Sequence, residues 1–454
     1  MKRFSLSDLA SWWHKKERAP LIIRGARQVG KTTLVRMFAH KFKLDLIEIN
    51  LQRTKIKSFS LSVSDENFSV VDAFIEIESF HKKKISPSSL VFLDEIQAEP
   101  KARERLKFFN QERPDIPVIA AGPIHDFKLV SENIFHLGPM TFLEFLLACG
   151  EELLVEIIIS KKIPDSAHQK ALQFLKYYSF VGGMPEAVRT FVETKSMIAV
   201  REVHRSIVQT NQTDFPKYGK RLNLERLERV FQAAPFHLGK KIIYQKLDEV
   251  SKSNDIKKCL ELLIAAQLFT PCYHSDAYAS LRDILCSGPR RTKDSGVDLS
   301  VYRLFCLDIG ILNTIHSLEW KNIDQHFLMT FTKGGILAEQ FIAQHLSYIK
   351  GVMEPPHLHF WMREKSTQKA EIDFLLQISQ DILPVEVKDG RGGKLKSLII
   401  FAQEKNIRTA VKFSLDPFSE EKIPIKIDHE NQNQVLQVFN YPLYSVETIA
   451  DAYG

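Results

Sequence analysis

A glycine-rich loop near the start of the chain constrains its fold more than any other feature. In the segment LIIRGARQVGKTTLVRMF, an apolar run at residues 21–23 precedes the loop, residues 25–32, and an apolar helical face follows it. The loop has the spacing G-x-x-x-x-G-K-[ST], in which glycines let several backbone N–H groups point at one phosphate chain. A strand before the loop and a helix after it are the context that this motif needs. The segment therefore predicts a phosphate-binding loop in a parallel α/β sheet.

The loop positions have predicted roles in holding a nucleotide. Lys31 is predicted to reach the β- and γ-phosphates, and Thr32 to offer its hydroxyl to Mg²⁺. The side chains of Arg24 and Arg27 are interpreted as solvated loop charges. The predicted nucleotide-binding residues are Gly25, Ala26, Arg27, Gln28, Val29, Gly30, Lys31, Thr32 and Thr33.

An acidic pair further along the chain predicts the second half of a nucleotide site. Residues 90–93 are bulky and apolar, as is typical of a buried parallel strand, and Asp94 and Glu95 follow them. Since ligands bind at the carboxyl ends of strands in such sheets, Asp94 is expected beside the loop as a Mg²⁺ ligand through water. Glu95 is then expected to polarise the attacking water, which favours hydrolysis over storage of the nucleotide. The alternative is two surface acids at a strand end.

The next apolar strand, within IPVIAAGPIHDF, ends without the polar residue that often senses the γ-phosphate in ATPases of this architecture. Gly122 is followed there by Pro123. His125 and Asp126 lie just beyond, and one of them is a candidate substitute. We favour the alternative that they are an ordinary loop pair.

The composition limits the class of protein without deciding its function. A chain of 454 residues is expected to form two or three domains, and a net charge of +7 permits nucleic-acid binding without arguing for it. The five cysteines lack metal-ligand spacing, which disfavours structural zinc and is typical of a reducing compartment. The N-terminus lacks a signal-peptide core, and the most apolar segment is interrupted by glutamates. We therefore predict a cytoplasmic protein without membrane contact.

Residues 151–275 are predicted to form a helical lid and a winged-helix-like region. The segment HQKALQFLKYYSFVGGMPEAVRTFV has helical periodicity that is broken at Gly182 and Gly183. This glycine pair is either the hinge of a lid over the nucleotide or an ordinary turn. Further on, YQKLDEVSKSNDIKKCLELLIAAQLFTPCYH favours helix, turn, helix and strand. Lys257 and Lys258 on its second helix are candidates for DNA contact, although a solvated helix face is the default.

Several segments, taken in order, resemble one family. The segments RGARQVGKTTL, LVFLDEIQ, GPMTFLEFL and YYSFVGGMPEAV look like those of AAA-type P-loop ATPases common in bacteria and archaea. These proteins carry a C-terminal domain of unknown function that resembles restriction endonucleases. The resemblance continues through YRLFCLDIGIL, GGILAEQFIAQHL and AEIDFLL, covers nearly the whole chain and implies ATP binding. Two departures are Gly122-Pro123 in place of the usual Gly-Ser, and the lack of an arginine in LVSENIFHLGPMTF.

A second site is predicted in residues 276–454. The segment AEIDFLLQISQDILPVEVKDG is typical of two strands, on the second of which Glu386 and Lys388 share a face. An antiparallel partner strand would place Asp373 beside them, and Glu339 lies upstream on a predicted helix. The four residues resemble a PD-(D/E)XK nuclease site, in which the three carboxylates bind Mg²⁺ and the lysine orients water or neutralises charge. The alternative is a hairpin with solvent-facing charges.

The sequence thus predicts an α/β protein in three parts. Residues 1–150 form a P-loop ATPase domain with a parallel sheet, residues 151–275 a helical and winged-helix-like region, and residues 276–454 a restriction-endonuclease-like α/β domain. The predicted cofactors are ATP and Mg²⁺. Two functions are open: an ATP-driven enzyme acting on DNA, and a nucleotide-dependent switch that holds protein partners or copies of itself on a silent nuclease-like scaffold. We favour the first.

Overall fold

The chain folds around two β-sheets, one of five strands and one of eight. The computed structural model describes residues 1–16, 18–60, 68–122, 133–218, 223–275, 297–332, 335–349, 351–363, 369–378, 381–388, 395–427 and 432–449. The strands are β1 Leu21–Arg24, β2 Asp45–Asn50, β3 Ser89–Asp94, β4 Val118–Gly122, β5 Asn133–His136, β6 Phe269–Ser275, β7 Val297–Cys306, β8 Leu358–Met362, β9 Glu371–Ile378, β10 Asp381–Val387, β11 Thr409–Ser414, β12 Ser419–Ile427 and β13 Gln432–Pro442.

Helices cover both sheets. They are α1 Ser5–Trp13, α2 Lys31–Lys41, α3 Lys57–Ser60, α4 Val70–His81, α5 Pro100–Glu112, α6 Phe142–Ala148, α7 Glu152–Ile159, α8 Asp165–Val181, α9 Pro185–Thr194, α10 Met197–Thr213, α11 Phe215–Tyr218, α12 Leu224–Ala233, α13 Ser253–Ala265, α14 Ile309–Ile315, α15 Trp320–Thr332, α16 Ile336–Leu346 and α17 Lys396–Lys405. Short 3₁₀ helices are Ile96–Ala98, Ala234–His237, Tyr244–Lys246 and Leu443–Ile449.

The five-stranded sheet is parallel throughout, with the strand order β2-β3-β4-β1-β5. Its central strands are short apolar runs buried on both faces, which is why they read as continuous hydrophobic segments. Helices α1 and α2 pack on one face and α4 and α5 on the other. The predicted N-terminal parallel sheet is therefore confirmed. Because β4 lies between β1 and β3, its end separates the glycine-rich loop from the acidic pair.

A buried carboxylate holds the turn between α8 and α9. Gly182 has a φ of +66°, and the N–H of Gly183 donates to Oδ2 of Asp308 at 2.6 Å. Oδ1 of Asp308 accepts from the N–H groups of Gly310 at 2.9 Å and Ile311 at 3.2 Å, so it also caps α14. An anchored backbone of this kind favours the ordinary turn over the hinge.

The winged-helix-like region departs from its prediction. Its first predicted helix is only the 3₁₀ helix Tyr244–Lys246, while α13 is the second. Strand β6, which follows α13 as predicted, pairs antiparallel with β7 on one side and parallel with β8 on the other. The predicted boundary between residues 275 and 276 therefore follows directly on β6, which pairs with β7. The winged-helix-like region and the division of the chain into three parts stay predictions.

The C-terminal sheet is mixed, with the order β12-β13-β11-β10-β9-β8-β6-β7. Phe341 of α16 and Val385 belong to the apolar core on one face, and Phe401 of α17 and Leu375 belong to the core on the other. A C-terminal α/β architecture is thus present, and its likeness to restriction endonucleases stays a proposal. In the ranges that the structure describes, none of the helices has the length and apolar character needed to span a bilayer.

The N-terminus of α6 ties the first sheet to the C-terminal unit. This helix follows β5 and begins with a capping box at Thr141. The N–H of Phe142 donates to Nε2 of His345 on α16, and the N–H of Leu143 donates to Oε1 of Glu447 on the last 3₁₀ helix, both at 2.9 Å. Side chains distant in sequence therefore satisfy backbone groups that a helix start leaves unpaired.

Replacing Asp308 with alanine should lower the free energy of unfolding by about 3 kcal/mol, since it leaves buried N–H groups at Gly183 and Gly310 unpaired. Chemical denaturation followed by circular dichroism measures this loss. Asp324→Ala is the control, because Asp324 is 47% exposed in its ion pair with Lys176 and should contribute less than about 1 kcal/mol. Equal losses in the two variants would contradict the anchoring role of Asp308.

Candidate active site

The predicted phosphate-binding loop connects β1 directly to α2. Its backbone is left-handed at Gln28, with φ 64°, and at Gly30, with φ 95°. Gly30 is the N-cap of α2, and glycine adopts such a positive φ without strain. The curled loop therefore leads into a helix whose first N–H groups and positive dipole end face an anion bound by the loop.

The Lys31 side chain lies inside this loop, with 8% of its surface exposed. Its Nζ donates to the carbonyl oxygens of Gly25 at 3.0 Å and Ala26 at 2.8 Å, and none of the ion pairs among the described residues involves it. Burial lowers the pKa of Lys31 to about 8, although the charges of Glu95 and Asp94 act in the opposite direction. A buried ammonium held by neutral carbonyls is suited to a phosphate anion, so the loop fits a nucleotide.

The predicted magnesium ligands are in contact with each other. The Thr32 hydroxyl donates to Oδ2 of Asp94 at 2.9 Å, and the backbone N–H of Glu95 donates to Oδ1 of Asp94 at 3.0 Å. Asp94 is 6% exposed, and burial raises its pKa against the lowering effect of the Thr32 hydrogen bond. A hydroxyl and one carboxylate beside a phosphate loop are the protein ligands that Mg²⁺ takes in such sites, so the residues fit the ion.

Glu95 lies at the end of β3 in a left-handed conformation, with φ 56°. Its carboxylate accepts a hydrogen bond from Nε2 of Gln97, which belongs to the following 3₁₀ helix. Sequence reasoning missed Gln97. The signal in the sequence that could have indicated Gln97 is the polar residue two positions after the acidic pair in LDEIQ.

The interpretation of Arg24 and Arg27 as solvated charges is wrong. Nε of Arg27 forms an ion pair with Oδ2 of Asp214, the C-cap of α10, and the two side chains are 20% and 4% exposed. Nη2 of Arg24 donates to the carbonyl of Ala265, the last residue of α13, at 3.2 Å. Both arginines contact the C-terminal ends of helices distant in sequence, and only the tertiary structure brings those helix ends there. Asp214 was also missed by sequence reasoning.

The candidate polar residues after β4 cannot be placed. His125 and Asp126 lie outside the described residues, as does Pro123. Gly122 is described and ends β4.

The C-terminal cluster contains three of its four predicted members. The register of β9 and β10 pairs Phe374 with Val385, which sets Asp373 beside Glu386. Nζ of Lys388 lies 2.7 Å from Oε2 of Glu386, which is 2% exposed. Burial raises the pKa of Glu386 well above its ordinary value, and the Asp373 carboxylate raises it further. The alternative of solvent-facing charges is therefore wrong for Glu386.

Glu339 is on α16. Burial lowers the pKa of Lys388, but the negative charges of Glu386, Asp373 and, least, Glu339 raise it above its ordinary value. Within the described ranges, however, no three His, Cys, Asp or Glu side chains converge in an arrangement that would hold a metal ion. The predicted Mg²⁺ ligation by Glu339, Asp373 and Glu386 is therefore a proposal.

Three family models match consecutive parts of the chain. Residues 17–146 match an AAA domain, residues 172–322 a domain of unknown function (DUF8612), and residues 334–432 another domain of unknown function (DUF4143). No curated protein matches the chain significantly. Residues 17–146 thus match an AAA domain, and the parallel sheet and the glycine-rich loop of this part of the chain agree with that match.

Two solved structures are similar over much of the chain. The Aeropyrum pernix ORC1 protein in complex with DNA is 12% identical with a TM-score of 0.27, and the alignment covers 69% of this chain and 90% of that one. The Thermotoga maritima RuvB Holliday junction branch migration motor is 15% identical with a TM-score of 0.29, with 59% and 87% covered. These TM-scores are too low to bear on function.

Nucleotide binding should be coupled to proton uptake at about pH 9, because the pKa of Lys31 is about 8 in the free protein and a bound phosphate raises it. The dissociation constant for ATP should therefore rise as the pH increases through 8. Calorimetry in two buffers of different ionisation enthalpy measures the uptake. At about pH 7 the free lysine is already charged, so uptake should be small there. Equal uptake at both pH values would contradict the assignment.

Proposed function

We propose that this protein is a Mg²⁺-dependent ATPase. The observation that carries the proposal is the buried ammonium of Lys31 in a glycine-rich loop, next to the hydrogen-bonded pair Thr32 and Asp94. The match of residues 17–146 to an AAA domain supports it. Bound Mg²⁺ would neutralise phosphate charge, and Thr32 and Asp94 would hold it.

In this proposal each residue of the site has its own role. Lys31 places its charge on the phosphates, where developing negative charge is stabilised. Glu95, held at the end of β3 by the hydrogen bond from its N–H to Asp94, accepts the proton of the attacking water. The Thr32–Asp94 bond holds the loop and the acidic pair in one geometry before a nucleotide arrives.

Two sets of contacts support coupling of the nucleotide state to the rest of the chain. Arg27, within the loop, is paired with Asp214 on the helical region. The start of α6, which follows the sheet, is bonded to His345 and Glu447 of the C-terminal unit. A loop that moves when it binds phosphate would act on α10 directly through the Arg27 pair.

A second candidate function is metal-dependent cleavage of DNA by the C-terminal unit. The observation that favours it is the cluster of Asp373, Glu386 and Lys388, whose residues meet on adjacent strands. In this role the carboxylates would hold the ion that activates water, and Lys388 would neutralise charge on the phosphate. The alternative is a silent scaffold in a nucleotide-dependent switch that holds protein partners or copies of itself.

Glu95→Gln should bind ATP as the wild type does but lower kcat by about 100-fold or more, because the amide cannot accept a proton. Lys31→Ala should instead lose ATP binding, since the buried charge is gone. Calorimetric titration and phosphate release separate the two effects. Wild-type turnover in Glu95→Gln would remove Glu95 as the base, and unchanged binding in Lys31→Ala would refute the phosphate loop.

Supercoiled DNA incubated with the protein and Mg²⁺ or Mn²⁺, with and without ATP, tests the C-terminal site. Cleavage should disappear in Asp373→Ala, because a ligand of the ion is lost. It should persist in Asp381→Ala, which removes an exposed carboxylate at the start of β10. If the wild type does not cleave while ATP hydrolysis is intact, the scaffold alternative is favoured.

A further inference from the structure

We propose that Gln97 is a positioning residue for Glu95, and that Gly122 is required because the Gln97 amide occupies the space beside it. The inference rests on the proposed ATPase function and adds a residue to its site. Three observations carry it: the bond between Gln97 and Glu95, the space at the end of β4, and the buried oxygen of the Gln97 amide.

The chain turn after β3 brings Gln97 back onto Glu95. The left-handed backbone at Glu95 ends the strand, and the 3₁₀ helix Ile96–Ala98 begins at the next residue. Nε2 of Gln97 donates to Oε2 of Glu95. Since an ionised carboxylate accepts hydrogen bonds and cannot donate them, the amide nitrogen must face Glu95 and the amide oxygen must point away.

Asn50, at the end of β2, is a polar neighbour in the same sheet and pairs in register with Asp94. Its Oδ1 accepts from the backbone N–H groups of Gln52 and Arg53 within its own turn. Gln97 is therefore the side chain that fixes the orientation of the Glu95 carboxylate.

The end of β4 has no side chain because the Gln97 amide lies there. A β-carbon on Gly122 would be 2.1 Å from Oε1 of Gln97, while its next neighbours, Cδ of Gln97 and the backbone nitrogen of Ile96, would be 3.3 and 3.4 Å away. Among the described residues, the Gln97 amide is therefore the atom group that a β-carbon at position 122 would clash with. Because β4 separates β1 from β3, the amide lies between the phosphate loop and the acidic pair. Gln97 thus places a polar group where the sequence of β4 offers none.

Oε1 of Gln97 is buried and has no hydrogen-bond partner among the described residues. A buried acceptor without a donor is unfavourable, and such groups at functional sites commonly await a ligand. Since Oε1 faces Gly122 and not Glu95, it would accept from a water at the end of β4, while Nε2 fixes the Glu95 carboxylate. A carboxylate fixed in one orientation takes the proton of the attacking water in a defined geometry, which raises the rate of in-line attack.

Gln97→Met tests the role, because methionine keeps the length of the side chain and removes the amide. The expected result is a fall in kcat of about tenfold or more with an unchanged dissociation constant for ATP, since the amide acts on Glu95 and not on the phosphates. Wild-type kcat in Gln97→Met, with Glu95→Gln inactive, would overturn the proposal and leave Gln97 as packing. If Glu95→Gln is also fully active, the proposed ATPase mechanism itself fails.

A double-mutant cycle between Gly122 and Gln97 tests the proposal without depending on the folding of Gln97→Met. Gly122→Ala should lower kcat in the wild-type background, because its β-carbon displaces the Gln97 amide. In a Gln97→Ala background, Gly122→Ala should lower kcat further by less than about twofold, since the obstacle is gone. Thermal unfolding of each variant confirms that the fold is retained. Multiplicative effects of the two substitutions on kcat would overturn the proposal.

Discussion

The hydrogen bond from Thr32 to Asp94 is the contact on which the candidate site depends. Thr32 lies in α2, which follows β1, and Asp94 ends β3. Because β4 lies between those two strands, the bond spans a whole strand of the sheet. Asp94 uses its other oxygen to hold the backbone of Glu95. One carboxylate thus sets the distance between the phosphate loop and the predicted base. The strand order and the buried apolar strands keep that distance fixed, because a parallel sheet packed on both faces resists deformation.

The polar contacts around this centre connect segments that are far apart in the chain. Arg27 joins the loop to α10, and Asp308 joins the turn between α8 and α9 to the start of α14. The start of α6 depends on α16 and the final 3₁₀ helix. Each contact satisfies a buried group that would otherwise destabilise the fold. The N-terminal domain that holds the candidate site is therefore connected to the remaining chain by hydrogen bonds as well as by apolar packing.

Sequence reasoning identified the parts of the site that follow from local pattern. Lys31 and Thr32 were predicted from loop spacing, and Asp94 and Glu95 from their position at the end of an apolar strand. Strand alternation also explains why Asp373 and Glu386 meet, because a tight antiparallel pair fixes their register.

The missed features depend on contacts between distant or unpatterned positions. Asp214 lies far along the chain from Arg27, and no periodicity links them. Gln97 is close in sequence to Glu95, but only the left-handed turn brings its amide back to the carboxylate. The pairing of β6 with β8 was missed because an apolar strand after a helix matches a winged helix equally well. For Asp214 and β6 the deciding information is tertiary, and for Gln97 it is the conformation of one local turn; the pattern of a single sequence shows neither.

The eight-stranded sheet also has a consequence for how such chains are inherited. Strands β6 and β7 fall within the match at residues 172–322, whereas β8 falls within the match at residues 334–432. Two units that sequence comparison treats as separate thus share one hydrogen-bonded ladder. A gene fusion or exchange that replaced only one unit would leave the edge of β6 or β8 with bare N–H and C=O groups, a template for aggregation. The two units can recombine only together, or with a partner that supplies a strand in the same register.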